Sequence, residues 1–467
     1  GTAEQSAYPV LKDRMLIGRL GELVDRIGAL PMLDAHTHLV GGKLGARGLH
    51  DILLYHMSVS DLYGAGCPSG SRLTQYPNWP SDEEARGRLV EAIPYIPQVR
   101  NTSISWGIRI ILRDLYDWNE PIGADNWERL DARIRARADD RAWHREVIKK
   151  AGIHRLCTEL ARREAGPDGK GPDDDMLQYA LEGAFFTRSQ WGEYDTALYQ
   201  LERCWGREPE SPAPIGGVRP PTGRVIRSLD DVHAAVDWFV DHIPVNEIVS
   251  NATHFSTDVD FTWVDDAKMS AALSRRNEAG PAERDVYASY INEAFLTAFD
   301  KRFGDTLLLQ FSTAAEPLPF ETASRISQRM LGQLAEIIGR HPRVRFQCHV
   351  SSAHADQTLC TLCRELPNLS LAGYWWHNFF PSIMLRIMEE RLDMLPVNRQ
   401  VGFLSDAYCI EWTYAKSVMV KRLLAEALAN KVALGMFDVD AAVDIAREIL
   451  YVTPQTLCAM KPASCGL

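Results

Sequence analysis

The densest chemistry in this chain sits in "LPMLDAHTHL", residues 30–39, where His36 and His38 follow a short apolar run. Side chains at i and i+2 of a strand point the same way. The two imidazoles therefore converge, as two nitrogen ligands of one metal ion must. A carboxylate could complete such a set, and Asp406 ends another short apolar run, "VGFLSDA" (401–407). Further imidazoles stand at comparable places. His349 lies in "RVRFQCHV", His377 follows Trp375 and Trp376 in "LAGYWWH", and His254 ends "SNATH". Taken singly, a histidine at a strand end is an ordinary hydrogen-bonded residue. His36, His38 and Asp406 carry weight because three separate placements agree.

The elements that must position these groups show a rhythm. Short apolar runs occur at 30–36, 152–158, 182–187, 246–252, 305–311, 343–350, 369–375 and 401–407. Helical patterns such as "SLDDVHAAVDWFVDHI" and "SRISQRMLGQLAEIIGRH" alternate with them. Strands alternating with helices pair in parallel. Eight such units make an α/β protein built as a (β/α)8 TIM-like barrel, whose functional groups gather at the C-terminal ends of the strands. Closure brings strand eight beside strand one, and so Asp406 beside His36 and His38. An amphipathic helix (14–29) precedes the first strand, a mostly helical insertion (41–150) follows it, and the chain from Ser417 onward reads as extra C-terminal helices. The whole, 1–467, reads as one elaborated barrel domain. The segments 167–175 and 208–223 are rich in Pro, Gly and charge and read as surface loops.

The bulk numbers set bounds. A composition 46% hydrophobic and 24% charged is that of a globular chain. A net charge of -11 argues against a nucleic-acid or anionic-membrane surface as the main partner. No run approaches the ~18 apolar residues of a membrane span, and "GTAEQSAYPVLKDR" lacks a basic-then-apolar leader pattern. Nine scattered cysteines, with Cys157 and Cys348 in apolar surroundings, suit reduced thiols and a cytoplasmic location. Cys360 and Cys363 form a lone C-x-x-C in a helical context, where packing is the expected role.

With these residues in place, the chain resembles the amidohydrolase superfamily of metal-dependent barrels, through "MLDAHTHL" and the aspartate of the last strand. "LAGYWWHNFFPSIMLRIMEERLDMLPVNRQVGFLSDAY" is more specific and resembles the uronate (glucuronate) isomerase branch. "LLYHMSVSDLYGAGC" and "SWGIRIILRDLYDW" resemble that branch's early helix and its tryptophan-containing helix. The resemblance implies a divalent metal, zinc with manganese as the alternative, held by His36, His38 and Asp406. It implies acid–base roles for Asp406, His56, His377 and Asp258, and substrate contacts from Trp375 and Trp376. Arg109 and Arg188 are the arginine candidates for a substrate carboxylate, with Arg386 behind them. His349 joins the substrate-binding set, in the place where hydrolytic relatives have a histidine ligand. Three departures stand out. Met57 replaces a tyrosine, Tyr408 replaces an arginine two residues after Asp406, and Gln310 or Phe311 stands where the family has a histidine.

The expectation is an enzyme that isomerises a hexuronate from aldose to ketose. The alternative is metal-dependent hydrolysis of a lactone, amide or C–C bond in a small carboxylated compound. The partner is a small sugar acid. A homo-oligomer is left open.

Overall fold

The computed structural model describes residues 18–68, 81–182, 194–206, 223–255, 261–313, 327–350, 353–374 and 380–458. Among the described residues eight strands form one sheet: β1 (Met32–Asp34), β2 (Ile153–Glu159), β3 (Leu177–Glu182), β4 (Ser250–Phe255), β5 (Leu308–Thr313), β6 (Arg345–Val350), β7 (Leu369–Ala372) and β8 (Gln400–Val401). Their spatial order equals their chain order, and each pairs in parallel with the next. The sheet closes through the segments that follow β1 and β8. Ala35 N–H donates to Phe403 O at 3.2 Å, Asp406 N–H to His36 O at 2.9 Å, and His38 N–H to Ala407 O at 2.9 Å. This is the (β/α)8 barrel expected from the alternation.

Register explains why polar groups collect inside. Ala252, Gln310 and Gln347 lie on one rung across β4, β5 and β6. There Ser250 Oγ donates to Gln310 Oε1 at 2.8 Å, and Gln310 Nε2 donates to Gln347 Oε1 at 2.9 Å. The pairing satisfies amides that would otherwise be costly to bury. Two residues farther along, His254, Ser312 and His349 share the next rung, at the C-terminal mouth.

Several strand positions differ from the sequence expectation. β3 lies at Leu177–Glu182 instead of 182–187; residues 183–187 fall outside the described residues. β4 begins at Ser250, because Glu247 N–H closes a turn onto Pro244 O just before it. β8 ends at Val401, and residues 402–407 run on as irregular chain bonded to the segment after β1.

The insertion after β1 is helical, as expected. Its longest helix, α1 (Ser103–Tyr116), packs on α2 (Ile410–Ala433), which starts seven residues earlier than the expected C-terminal helical region and is buried along most of its length. The two approach closely at Gly107, where a Cβ would come within 2.6 Å of the Trp412 ring. Only glycine permits that crossing. α2 also sends polar groups inward: Glu411 accepts from Ala46 N–H at 2.9 Å and from Tyr116 Oη at 2.8 Å. Cys360 and Cys363 lie buried on the helix Ala353–Glu365, and burial pushes the Cys363 thiol up to about 12. They pack, as expected.

Candidate metal centre

β1 is three residues long, and the chain leaves it still extended enough to send His36 and His38 to the mouth. Their side chains are 12% and 13% exposed. Asp406 arrives from the far side of the closure with its backbone in the left-handed region, φ 49°. A non-glycine residue held there costs of order 1–3 kcal/mol and needs support from its surroundings. That support is visible. Asp406 N–H donates to His36 O, while Tyr55 Oη donates to Asp406 O. Tyr55 Oη in turn accepts from the buried Lys416 Nζ at 2.6 Å, and Lys416 also donates to Ser405 O. Asp34, fully buried, accepts from Ser405 N–H at 2.9 Å and His36 N–H at 3.3 Å, so one carboxylate ties both halves of the site together.

These braces gather three ligand atoms within 4.8 Å of one another, one each from His36, His38 and Asp406. His38 Nε2 lies 2.7 Å, and His36 Nε2 3.3 Å, from Asp406 Oδ1. A tetrahedral ion with bonds of about 2.0–2.1 Å spaces its ligand atoms by roughly 3.3 Å. The His36–Asp406 spacing matches this, while the 2.7 Å His38–Asp406 contact is a direct hydrogen bond that an ion would replace; the three residues are a set that could hold a divalent cation. The donor set of two imidazoles and one carboxylate suits zinc or manganese.

His38 shows the second feature of a metal ligand. Its other nitrogen, Nδ1, pairs with Glu159 Oε1, the last residue of β2. A carboxylate on the far nitrogen fixes the tautomer and aims Nε2 at the ion. Tyr408 stacks on the His38 ring, centroids 4.4 Å apart and planes 8° from parallel. Burial opposes a charge on His38, but Glu159 and Asp406 outweigh it and push the imidazole up to about 10. Burial likewise works against the Asp406 charge, yet its bonds to His36 and His38 hold the carboxyl well below its usual range. Beyond Glu159 lies Glu182, at the end of β3. Burial, then the Glu159 charge, raises Glu182 above the usual carboxyl range.

The other expected residues fall into three groups. His349 is buried, its ring 5.4 Å from that of His36 and its Nε2 3.2 Å from Gln347 Oε1. It lies beside the three-ligand cluster and is not one of its members. Arg109 is exposed on α1 and donates to Arg100 O at 3.2 Å; Arg386 is exposed and lies 3.8 Å from Glu390. His56 opens the helix His56–Gly64, directly after Tyr55. Arg188, Asp258, Trp375, Trp376 and His377 lie outside the described residues. Sequence reasoning missed Asp34, Tyr55, Glu159, Glu182 and Lys416. Glu159 and Glu182 had a signal, a carboxylate at a strand's C-terminal end. Lys416 had none.

No family model matches this sequence, and no curated protein matches it. Solved structures do match. Glucuronate isomerase from Caulobacter crescentus superposes with a TM-score of 0.72 at 16% identity, covering 96% of this chain and 97% of its own. Uronate isomerase from Thermotoga maritima gives 0.71 at 12% identity, covering 94% and 97%. Uronate isomerase from Bacillus halodurans gives 0.67 at 15%, covering 95% and 97%. The chain shares the fold of these enzymes over nearly its whole length. Among the described residues no helix is long and apolar enough to cross a membrane.

Proposed function

We propose that this protein is a divergent member of the uronate isomerase family, a metal-dependent enzyme interconverting the aldose and ketose forms of a hexuronate. The observation that carries the reading is the union of His36, His38 and Asp406 across the closure of a barrel that superposes end to end on uronate isomerases. A divalent ion at these ligands, zinc with manganese as the alternative, would act as a Lewis acid toward the sugar's carbonyl and hydroxyl oxygens.

The remaining work falls to side chains. Isomerisation takes a proton from C2, delivers one to C1, and moves the hydroxyl proton to the old carbonyl oxygen, with no change in formula. Asp406 is the base candidate for the C2 proton. By the family resemblance, His56 and His377 are the candidate proton donors, Asp258 is a further acid–base candidate, and Trp375 and Trp376 are the candidate contacts for the sugar. Arg188 is the family-derived candidate for its carboxylate, and His349 stands beside His36. Asp34, Ser405, Asp406 and His349 are all 2% exposed or less, so charges at the ligand set act in a largely buried setting.

The test is proton NMR in heavy water with the metal-loaded protein and D-glucuronate or D-galacturonate. The expected result is a ketose product, with deuterium entering C2 of recovered aldose. Ring opening or bond cleavage of a lactone or amide without C–H exchange would replace isomerisation by hydrolysis.

A further inference from the structure

Among the described residues the mouth gathers four carboxyl groups, on Asp34, Glu159, Glu182 and Asp406, all in or around the ligand set. An anionic ligand entering this field needs a cation aimed at it. Lys416 is committed to Tyr55 and to the Ser405 carbonyl. Arg162 is placed differently. It lies three residues past β2, at the end of a single 3-10 turn (Leu160–Arg162). Its Nε donates to Glu159 Oε2 at 2.8 Å, and its guanidinium carbon sits 5.2 Å from the centre of the Tyr408 ring. Glu159 and Tyr408 are also the residues that hold His38. So His38, Glu159, Arg162 and Tyr408 form a closed circuit that holds the guanidinium in position. The lock uses only Nε. Among the described residues, no acceptor meets Nη1 or Nη2, and the side chain is 27% exposed. Two parallel N–H donors in one plane are the partner a carboxylate takes with two bonds.

We propose that Arg162 is the carboxylate-binding residue of this site, its Nη1–Nη2 edge receiving the carboxylate of a sugar acid whose hydroxyl end meets His36, His38 and Asp406. This rests on the reading of the mouth as a sugar-acid site. It also accounts for Tyr408. The chain has a tyrosine where an arginine was expected two residues after Asp406, and that tyrosine ring supports an arginine delivered from β2. The positive charge has changed strands.

The test uses the full-length, zinc-loaded protein and calorimetric titration with D-gluconate and with D-glucitol, which has a CH2OH in place of the carboxylate. Wild type should prefer D-gluconate. Arg162→Met should lose that preference by roughly 10- to 100-fold, the range for a hydrogen bond to a charged group, with D-glucitol affinity and zinc content unchanged. Arg162→Lys should recover part of it, since it restores charge without the two-pronged edge. If D-glucuronate is turned over, Arg162→Met should raise KM far more than it lowers kcat. A wild type without preference for the carboxylate, or an Arg162→Met protein that retains the wild-type preference, overturns the proposal. So does a loss of zinc shared by Arg162→Met and Arg162→Lys, which would make Arg162 a support of His38 alone. If the preference disappears in Arg162→Met while wild type neither isomerises D-glucuronate nor exchanges its C2 hydrogen, the isomerase reading fails and the carboxylate site stands.

Discussion

Replacing Glu159 tests the electrostatics of the metal centre without touching a ligand. Glu159 Oε1 faces His38 Nδ1, and Oε2 takes Arg162 Nε at 2.8 Å. In Glu159→Ala the imidazole loses the acceptor that fixes its tautomer and the negative charge that strengthens it as a donor. Removing such a partner typically costs 10–100-fold in metal affinity, or about 1.4–2.8 kcal/mol. Glu159→Gln keeps an acceptor oxygen but no charge. A charge-assisted bond is roughly twice as strong as a neutral one, so the amide should restore about half of that free energy. The expected order of zinc affinity is wild type, then Gln, then Ala, measured by competition with a chromophoric chelator at fixed pH. His38→Ala sets the floor. Equal zinc affinity in wild type and Glu159→Ala, with the fold intact by circular dichroism, would refute the view that Glu159 aims His38.

Three further outcomes follow from packing and charge away from the ligands. Gly373 has φ +57°, and a Cβ there would lie 2.2 Å from Leu404 Cγ; Gly373→Ala should destabilise the fold by about 2–4 kcal/mol from strain and overpacking, read as a lower urea midpoint. Arg391 is fully buried, donates twice to Asp356 and once to Gly373 O at 2.8 Å; Arg391→Met leaves the Asp356 charge uncompensated and should cost about 3–5 kcal/mol, whereas an unchanged melting temperature would contradict the pairing. Glu293 is pushed up by burial, but His341 at 2.8 Å and Arg340 at 3.0 Å outweigh this and hold it below its usual value. Its stabilisation is present above the unfolded carboxyl value of about 4.3 and fades as pH falls through the lower folded value. Glu293→Gln should therefore lower the melting temperature at pH 7 and narrow the gap to wild type toward pH 3; a gap independent of pH would contradict that sign.

What the sequence disclosed, and what it hid, follows from the physics of each segment. β5, β6 and β7 were legible because "LLLQF", "VRFQCHV" and "LSLA" are apolar runs of strand length between helices with clear 3.6-residue periodicity. β3 was misplaced because "LQYALE" sends Gln178 and Glu182 toward the polar side of the barrel, while the neighbouring "EGAFFT" looks more like a core strand. β8 is nearly invisible as a strand, since only Gln400 and Val401 pair with β7. Asp406 was still recognisable, because its place depends on closure against β1 and not on strand length. Glu159 escaped notice by one residue, the expected strand ending at Thr158. Lys416 could not have been found by pattern. It lies on a helix buried on nearly every side, and its role is set by two oxygens more than ten residues away or across the barrel. Arg162 reads as a surface arginine until Glu159 and Tyr408 are seen to hold it.

The metal site is tested most directly by the metal content of protein purified without chelator, measured by inductively coupled plasma mass spectrometry for wild type, His36→Ala, His38→Ala and Asp406→Ala. The three ligand atoms within 4.8 Å predict one divalent ion per wild-type chain and its loss in each variant. Wild-type protein that takes up no stoichiometric zinc or manganese even when supplied with it, or variants that retain a full equivalent, would contradict the assignment of His36, His38 and Asp406 as metal ligands.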